Sequence, residues 1–106
     1  MKGYGLDRKI YFEILNARLD SFGNDVNDDF QLMDCRCAYD DEYADTPEDL
    51  KEIDIRIIEM ADELAAIETR LDDEHWIWHM DEISKGKYPL EKLPEHVQSL
   101  AKTLYY

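Results

Sequence analysis

His75 and His79, four residues apart in "EHWIWHMDE", are the side chains whose type and spacing come nearest to chemistry in this chain. On a helix, at about 100° per residue, Asp72, His75, His79 and Glu82 fall within about 80° of one another, a strip of the donor types that hold zinc. The i, i+4 pair shares its spacing with the H-E-x-x-H metalloproteases, but Trp76 stands where those enzymes need a Glu as general base. Hydrolysis of that kind is not expected. Two readings of the pair stay open: a metal-binding protein using His75 and His79, or helix-surface histidines beside carboxylates.

Cys35 and Cys37 are the other potential ligands. A disulfide across C-x-C would be strained, and the pair lacks the two-residue gap of redox and zinc motifs, so structural thiols are expected. Combining them with His75 and His79 in a Cys₂His₂ site does not match finger spacing. "DVNDDF" starts like a calcium loop, with Asp25, Asn27 and Asp29 at the first, third and fifth positions. Phe30 replaces the required Gly and Arg36 the bidentate Glu, which excludes an EF-hand. With no other catalytic pattern, the chain reads as a non-enzyme with no catalytic residue, resident metal or cofactor.

A length of 106 residues suits one acidic helical domain spanning 1–106. No apolar run is long enough to span a membrane. The N-terminal residues lead into charged positions without the apolar core of a signal peptide, so a cytoplasmic protein is expected. The net charge of −14 is unevenly spread. Residues 1–19 and 84–106 each carry four bases and two acids, whereas residues 20–49 hold eleven acids against Arg36 alone, and residues 50–83 eleven acids against three bases. Such a chain repels nucleic acid and anionic lipid and is steered toward basic surfaces.

An all-α fold is expected. Residues 7–22 place Ile10, Ile14, Ala17 and Tyr11, Leu15, Leu19, Phe22 on adjoining rows after the N-cap candidate Asp7. Residues 24–45 fit two templates: Phe30, Met33 and Cys37 at helical spacing, or Met33, Cys35, Cys37 and Tyr39 alternating as in a strand. Helix is the preferred reading, with irregular or β structure as the alternative. Thr46 and Pro47 then open a segment in which Leu50, Ile53, Ile57, Met60, Leu64, Ile67 and Leu71 keep 3-4 spacing, with no Gly or Pro before Gly86. Residues 47–84 could form one long helix of about 57 Å, against a diameter of roughly 34 Å for a compact domain of this size. It must therefore project, bend, or be covered by a second chain. A last helix from Pro94 to about Tyr105 completes a small bundle organised on the long one.

Trp76 and Trp78 lie about 200° apart on a helix, so one apolar face cannot hold both. The apolar stripe thus changes sides near Asp72–Glu74. Either the helix bends or breaks there, or the segment meets protein on both faces, filled by this chain's own helices or by a partner anchored on a tryptophan. The acidic run has a bland reading as a solvated surface. Its density is the sharper feature: net charge spread along such a helix approaches about half the charge per length of duplex DNA.

In size, acidity, helicity and lack of catalytic motifs the chain resembles the small acidic inhibitors carried by phages and mobile elements, including anti-CRISPR proteins and DNA mimics. The resemblance implies stoichiometric inhibition of a bacterial host's nucleic-acid-binding complex, such as a CRISPR-Cas surveillance complex, by occupying a basic surface. Charge and hydropathy lead to the expectation of no direct nucleic-acid binding and no membrane association, and a monomer or homodimer is expected. The contact residues expected from the acidic layout are Asp40, Asp41, Glu42, Asp45, Glu48 and Asp49, with Trp76 as a possible anchor. A host regulatory adaptor or antitoxin-like binder of a basic protein is the alternative.

Overall fold

The computed structural model describes residues 3–22, 26–43, 45–66 and 74–106, with side chains of the second helix described from Gln31 onward. The described elements are all helical: α1 (Arg8–Asp20), α2 (Val26–Glu42), α3 (Glu48–Glu59), α4 (Ala61–Leu64), a 3₁₀ turn at Trp76–His79, α5 (Met80–Ser84), a second 3₁₀ turn at Leu90–Lys92, and α6 (Glu95–Tyr105). Among the described residues there is no strand, and no helix long and apolar enough to cross a membrane. Contacts sort the chain into two compact units, residues 1–53 and 54–106. The division falls inside α3, which belongs to both.

In the first unit α1 packs on α2. Tyr11, Phe12, Leu15 and Leu19 bury one face of α1, while Ile10 is exposed and Ala17 faces solvent. The second of the two expected rows is therefore the buried one. Each of these larger side chains contributes about 1.5–3 kcal/mol by leaving water. The strand alternative for 24–45 is overturned over 26–42, which is helical. Its alternating pattern has a simple cause: Leu32, Met33, Cys35, Arg36, Cys37, Ala38 and Tyr39 are all buried, so the helix is covered on several sides and shows no single period.

The one-helix reading of 47–84 is corrected. α3 ends at Glu59, Met60 is a turn, α4 lasts only to Leu64, and Ala65 and Ala66 form another turn. Glu74 is non-helical, and His75 is extended (φ −66°, ψ 134°) ahead of the 3₁₀ turn. The bend-or-break explanation for the switching stripe thus describes the second half of the segment; Ile67, Leu71 and Asp72 lie outside the described residues. The buried row on α3 and α4 runs Leu50, Ile53, Ile57, Ile58, Ala61 and Leu64, with Met60 only half-buried. The burial shift from Met60 to Ala61 accompanies the turn at Met60, which no Gly or Pro announces.

In the second unit α4 and α6 pack on α5. Val97 and Ala101 are the buried face of α6, and Tyr105 Oη donates to the Ile58 carbonyl at 2.7 Å. Asp54 of α3, fully buried, meets His96 of α6 at 2.8 Å, Oδ2 to Nε2. Gly86 takes a positive φ of 69°, and a Cβ there would stand 2.6 Å from the Tyr105 carbonyl oxygen, so glycine lets this turn lie against the end of α6.

Candidate functional site

The predicted acidic set falls on one stretch of the first unit. Asp40, Asp41 and Glu42 close α2, Asp45 stands in the connection, and Glu48 and Asp49 open α3. The last two suit the positive end of their helix dipole. The first three stand at the negative end of theirs, in a last turn without a base, where each carboxylate is disfavoured by about 0.3–1 kcal/mol. Helix formation does not explain acids at that position, so local partners or a binding role must.

Local partners account for three of the six. Asp40 Oδ1 meets Arg36 Nη1 at 2.8 Å, and Arg36 is only 2% exposed, so this carboxylate neutralises a guanidinium inside the first unit. Glu42 Oε1 accepts from the Gly5 amide at 2.6 Å and from Tyr11 Oη at 3.1 Å. Asp45 accepts from Tyr39 Oη at 2.6 Å through Oδ1 and from Arg8 Nε at 2.7 Å through Oδ2. The Tyr39 hydrogen bond, with the Arg8 charge beside it, holds the Asp45 carboxyl below its ordinary value. Asp41, Glu48 and Asp49 are exposed, and Glu48 makes a 3.5 Å pair with Lys51.

Around these acids stands an aromatic group that the sequence reading missed. Tyr11 lies edge-on to Tyr39 and Tyr43, with centroids 5.4 and 6.0 Å apart, and stacks on Tyr4 at 5.9 Å. The Arg8 guanidinium sits 4.2 Å over the Tyr43 ring. Burial first, and then the Asp45 carboxylate, raises the Tyr39 phenol; burial and Glu42 do the same for Tyr11, to about 12. The available signal was composition, seven Tyr against three Phe, and the local sequence Tyr39-Asp40-Asp41-Glu42-Tyr43. Tyr4 also lines a cavity of about 360 Å³ together with Ile14, Arg18, Gln31, Asp34 and Cys35. Tyr4 Oη donates to Asp34, and Arg18 Nη2 donates to Gln31 Oε1 at 3.0 Å.

Trp76 is corrected as an anchor. It is 5% exposed and Trp78 is fully buried, both held in the second unit beside buried Ile77, Met80 and Ile83, so Trp76 presents no open ring to a partner. The 3₁₀ conformation of residues 76–79 also removes the projection that aligned the metal strip, because that projection assumed an α-helix. His75 Nδ1 accepts from the Ile77 amide at 3.1 Å, capping the turn. His79 Nδ1 faces Glu82 Oε1 at 2.8 Å, and its ring stacks on Tyr88. Each histidine thus has a local structural task. Among the described residues no three His, Cys, Asp or Glu gather as a metal set, and Asp72 lies outside them.

Cys35 and Cys37 are buried thiols on α2, as expected of structural cysteines, and burial pushes the Cys35 thiol up to about 12. That leaves it almost wholly protonated near neutral pH and a poor nucleophile. No protein-family model matches the chain, and no curated protein or solved structure matches it either.

Proposed function

We propose that this chain is a non-enzymatic acidic binding protein that occupies a basic surface of a nucleic-acid-binding complex. Within that class the specific target proposed is a CRISPR-Cas surveillance complex in a bacterial cytoplasm. The observation that carries the reading is how charge divides between surface and interior. From Gln31 to Ala66, nine acids are exposed: Asp40, Asp41, Asp45, Glu48, Asp49, Glu52, Glu59, Asp62 and Glu63. The three bases of the same stretch are withdrawn, Arg36 being buried and Lys51 and Arg56 half-buried. The withdrawn acids of the stretch, Asp34, Glu42 and Asp54, balance those bases, so among its described residues the net negative charge stands on exposed carboxylates, and such a field steers association with a cationic groove and favours docking there.

The contact set is refined accordingly. Exposed Asp41, Glu48 and Asp49 are the proposed contact carboxylates, while Asp40, Glu42 and Asp45 have structural duties as well. Affinity capture from bacterial lysate, with nuclease-treated and untreated samples compared, tests the reading. Recovery of a nucleic-acid-binding complex that persists after nuclease treatment supports it. Recovery of one small basic protein instead would make the chain an adaptor or antitoxin-like binder.

A further inference from the structure

We propose that the segment Gly3–Arg8 is an intramolecular lid on the acidic surface, with Arg8 occupying the seat into which an arginine of the basic partner docks. The inference rests on the binding function proposed above and adds to it an autoinhibitory contact and the chemistry of the docking group, a guanidinium.

The lid is fastened mainly through carboxylates. The Gly5 amide donates to Glu42, Tyr4 Oη to Asp34, and Arg8 Nε to Asp45; Tyr43 Oη adds a bond to the Leu6 carbonyl at 2.6 Å. Three acids of the first unit are thus occupied by the chain's own N-terminal segment. The Arg8 seat combines a carboxylate in line with Nε and an aromatic face 4.2 Å from Cζ, two features by which proteins hold arginine. Tyr39 fixes the other oxygen of Asp45, so the seat keeps its shape when the guanidinium leaves.

Two further features favour exchange. The Arg8 and Asp45 side chains are 50% and 46% exposed, and an exposed pair is weakly held and open to competition. The close approach of the lid also depends on glycine. A Cβ at Gly3 would lie 2.5 Å from Glu42 Cβ and 2.9 Å from the Ala38 carbonyl oxygen, while Gly5 takes a φ of 73°. A side chain at position 3 therefore lifts the lid without changing charge.

The test is binding of an oligoarginine peptide by wild type, Gly3→Val, Arg8→Ala and Lys9→Ala. Lys9 is exposed and removes the same charge as Arg8 without touching the seat. A binding surface closed for most of the time loses affinity by its open fraction. Gly3→Val is thus expected to bind roughly two- to fivefold tighter than wild type, and Arg8→Ala roughly three- to tenfold tighter, clearly beyond Lys9→Ala. Equal affinity of wild type and Gly3→Val, with Arg8→Ala matching Lys9→Ala, would overturn the lid. Absence of binding in all four proteins would instead overturn the underlying binding function, and the lid with it. Amide exchange in wild type decides the matter even where a variant fails to fold: the Gly5 amide should lose protection when peptide binds, and retained protection in the bound state would refute displacement.

Discussion

Replacing His96 by Ala should be among the most damaging single changes on α6, although His96 belongs to no predicted site. Its Nε2 is the 2.8 Å partner of an Asp54 carboxylate that has no solvent exposure. A hydrogen bond to a charged group contributes about 1.5–3 kcal/mol, and breaking a buried pair by removing one partner costs about 3–5 kcal/mol, because the remaining charge stays buried. Asp54 has other interactions, which places the expected loss near the overlap, about 2–4 kcal/mol. A domain of this length has a total of roughly 5–15 kcal/mol, so the variant should melt about 10–20 °C lower. Urea unfolding followed by circular dichroism measures the loss. A double-mutant cycle with Asp54→Asn should show coupling, the double variant losing less than the two singles together. A loss below about 0.5 kcal/mol for His96→Ala, or simple additivity, would refute the pair's role in joining α3 to α6.

Alkaline pH gives a second prediction. All seven phenols are raised above their ordinary value, burial being the first cause in each case. A raised folded pKa means stability that is complete below the unfolded value, about 10, and is lost as pH rises through the folded value, about 12 for Tyr11. Phenolate absorbance should therefore stay low just above pH 10 and rise steeply with loss of helicity on approach to 12; a gradual titration centred on 10 would count against the aromatic cluster. Zinc gives a third. With His75 Nδ1 capping the 3₁₀ turn and His79 Nδ1 against Glu82, micromolar zinc should leave the melting temperature unchanged, whereas a rise of several degrees would restore the metal-binding reading.

The local rules that worked were those read from wide, regular apolar rows. Tyr11, Leu15 and Leu19 on α1 repeat at helical spacing and are buried, although Ile10 and Ala17 of the adjoining row are exposed. The same rule overreached across 47–84, because the row through Leu50, Ile57 and Leu64 continues in register past a turn that carries no Gly or Pro. Periodicity reports which face is buried and is silent on whether the backbone between two turns is continuous. The "HWIWH" segment shows the same limit: both tryptophans are buried, which fits the reading of a segment covered on both faces, but the α-helical projection does not apply because residues 76–79 form a 3₁₀ turn.

Buried charges were the harder omission. Arg36 and Asp54 read as surface residues by type, yet both are almost wholly buried and paired. For Asp54 a signal existed, since Leu50, Asp54, Ile57, Ala61 and Leu64 keep 4-3-4-3 spacing and put the acid on the buried line. For Arg36 the surrounding run of buried residues offers no period from which to place it. The acidic run was legible along the chain, but the separation of Asp40, Glu42 and Asp45, which have local partners, from Asp41, Glu48 and Asp49 depends on Arg36, Gly5, Tyr11, Tyr39 and Arg8. Those partners are distant in sequence or lack a motif.

Competition between this chain and duplex DNA for the complex recovered by capture tests the central claim most directly. Wild type should displace DNA, with efficiency falling as salt rises. The Asp41→Asn, Glu48→Gln, Asp49→Asn triple variant should fold normally, displace DNA several-fold less well, and show a shallower salt dependence. Simultaneous binding of DNA and the chain, or a triple variant that competes as well as wild type at every salt concentration, would contradict occupation of a basic surface by these carboxylates.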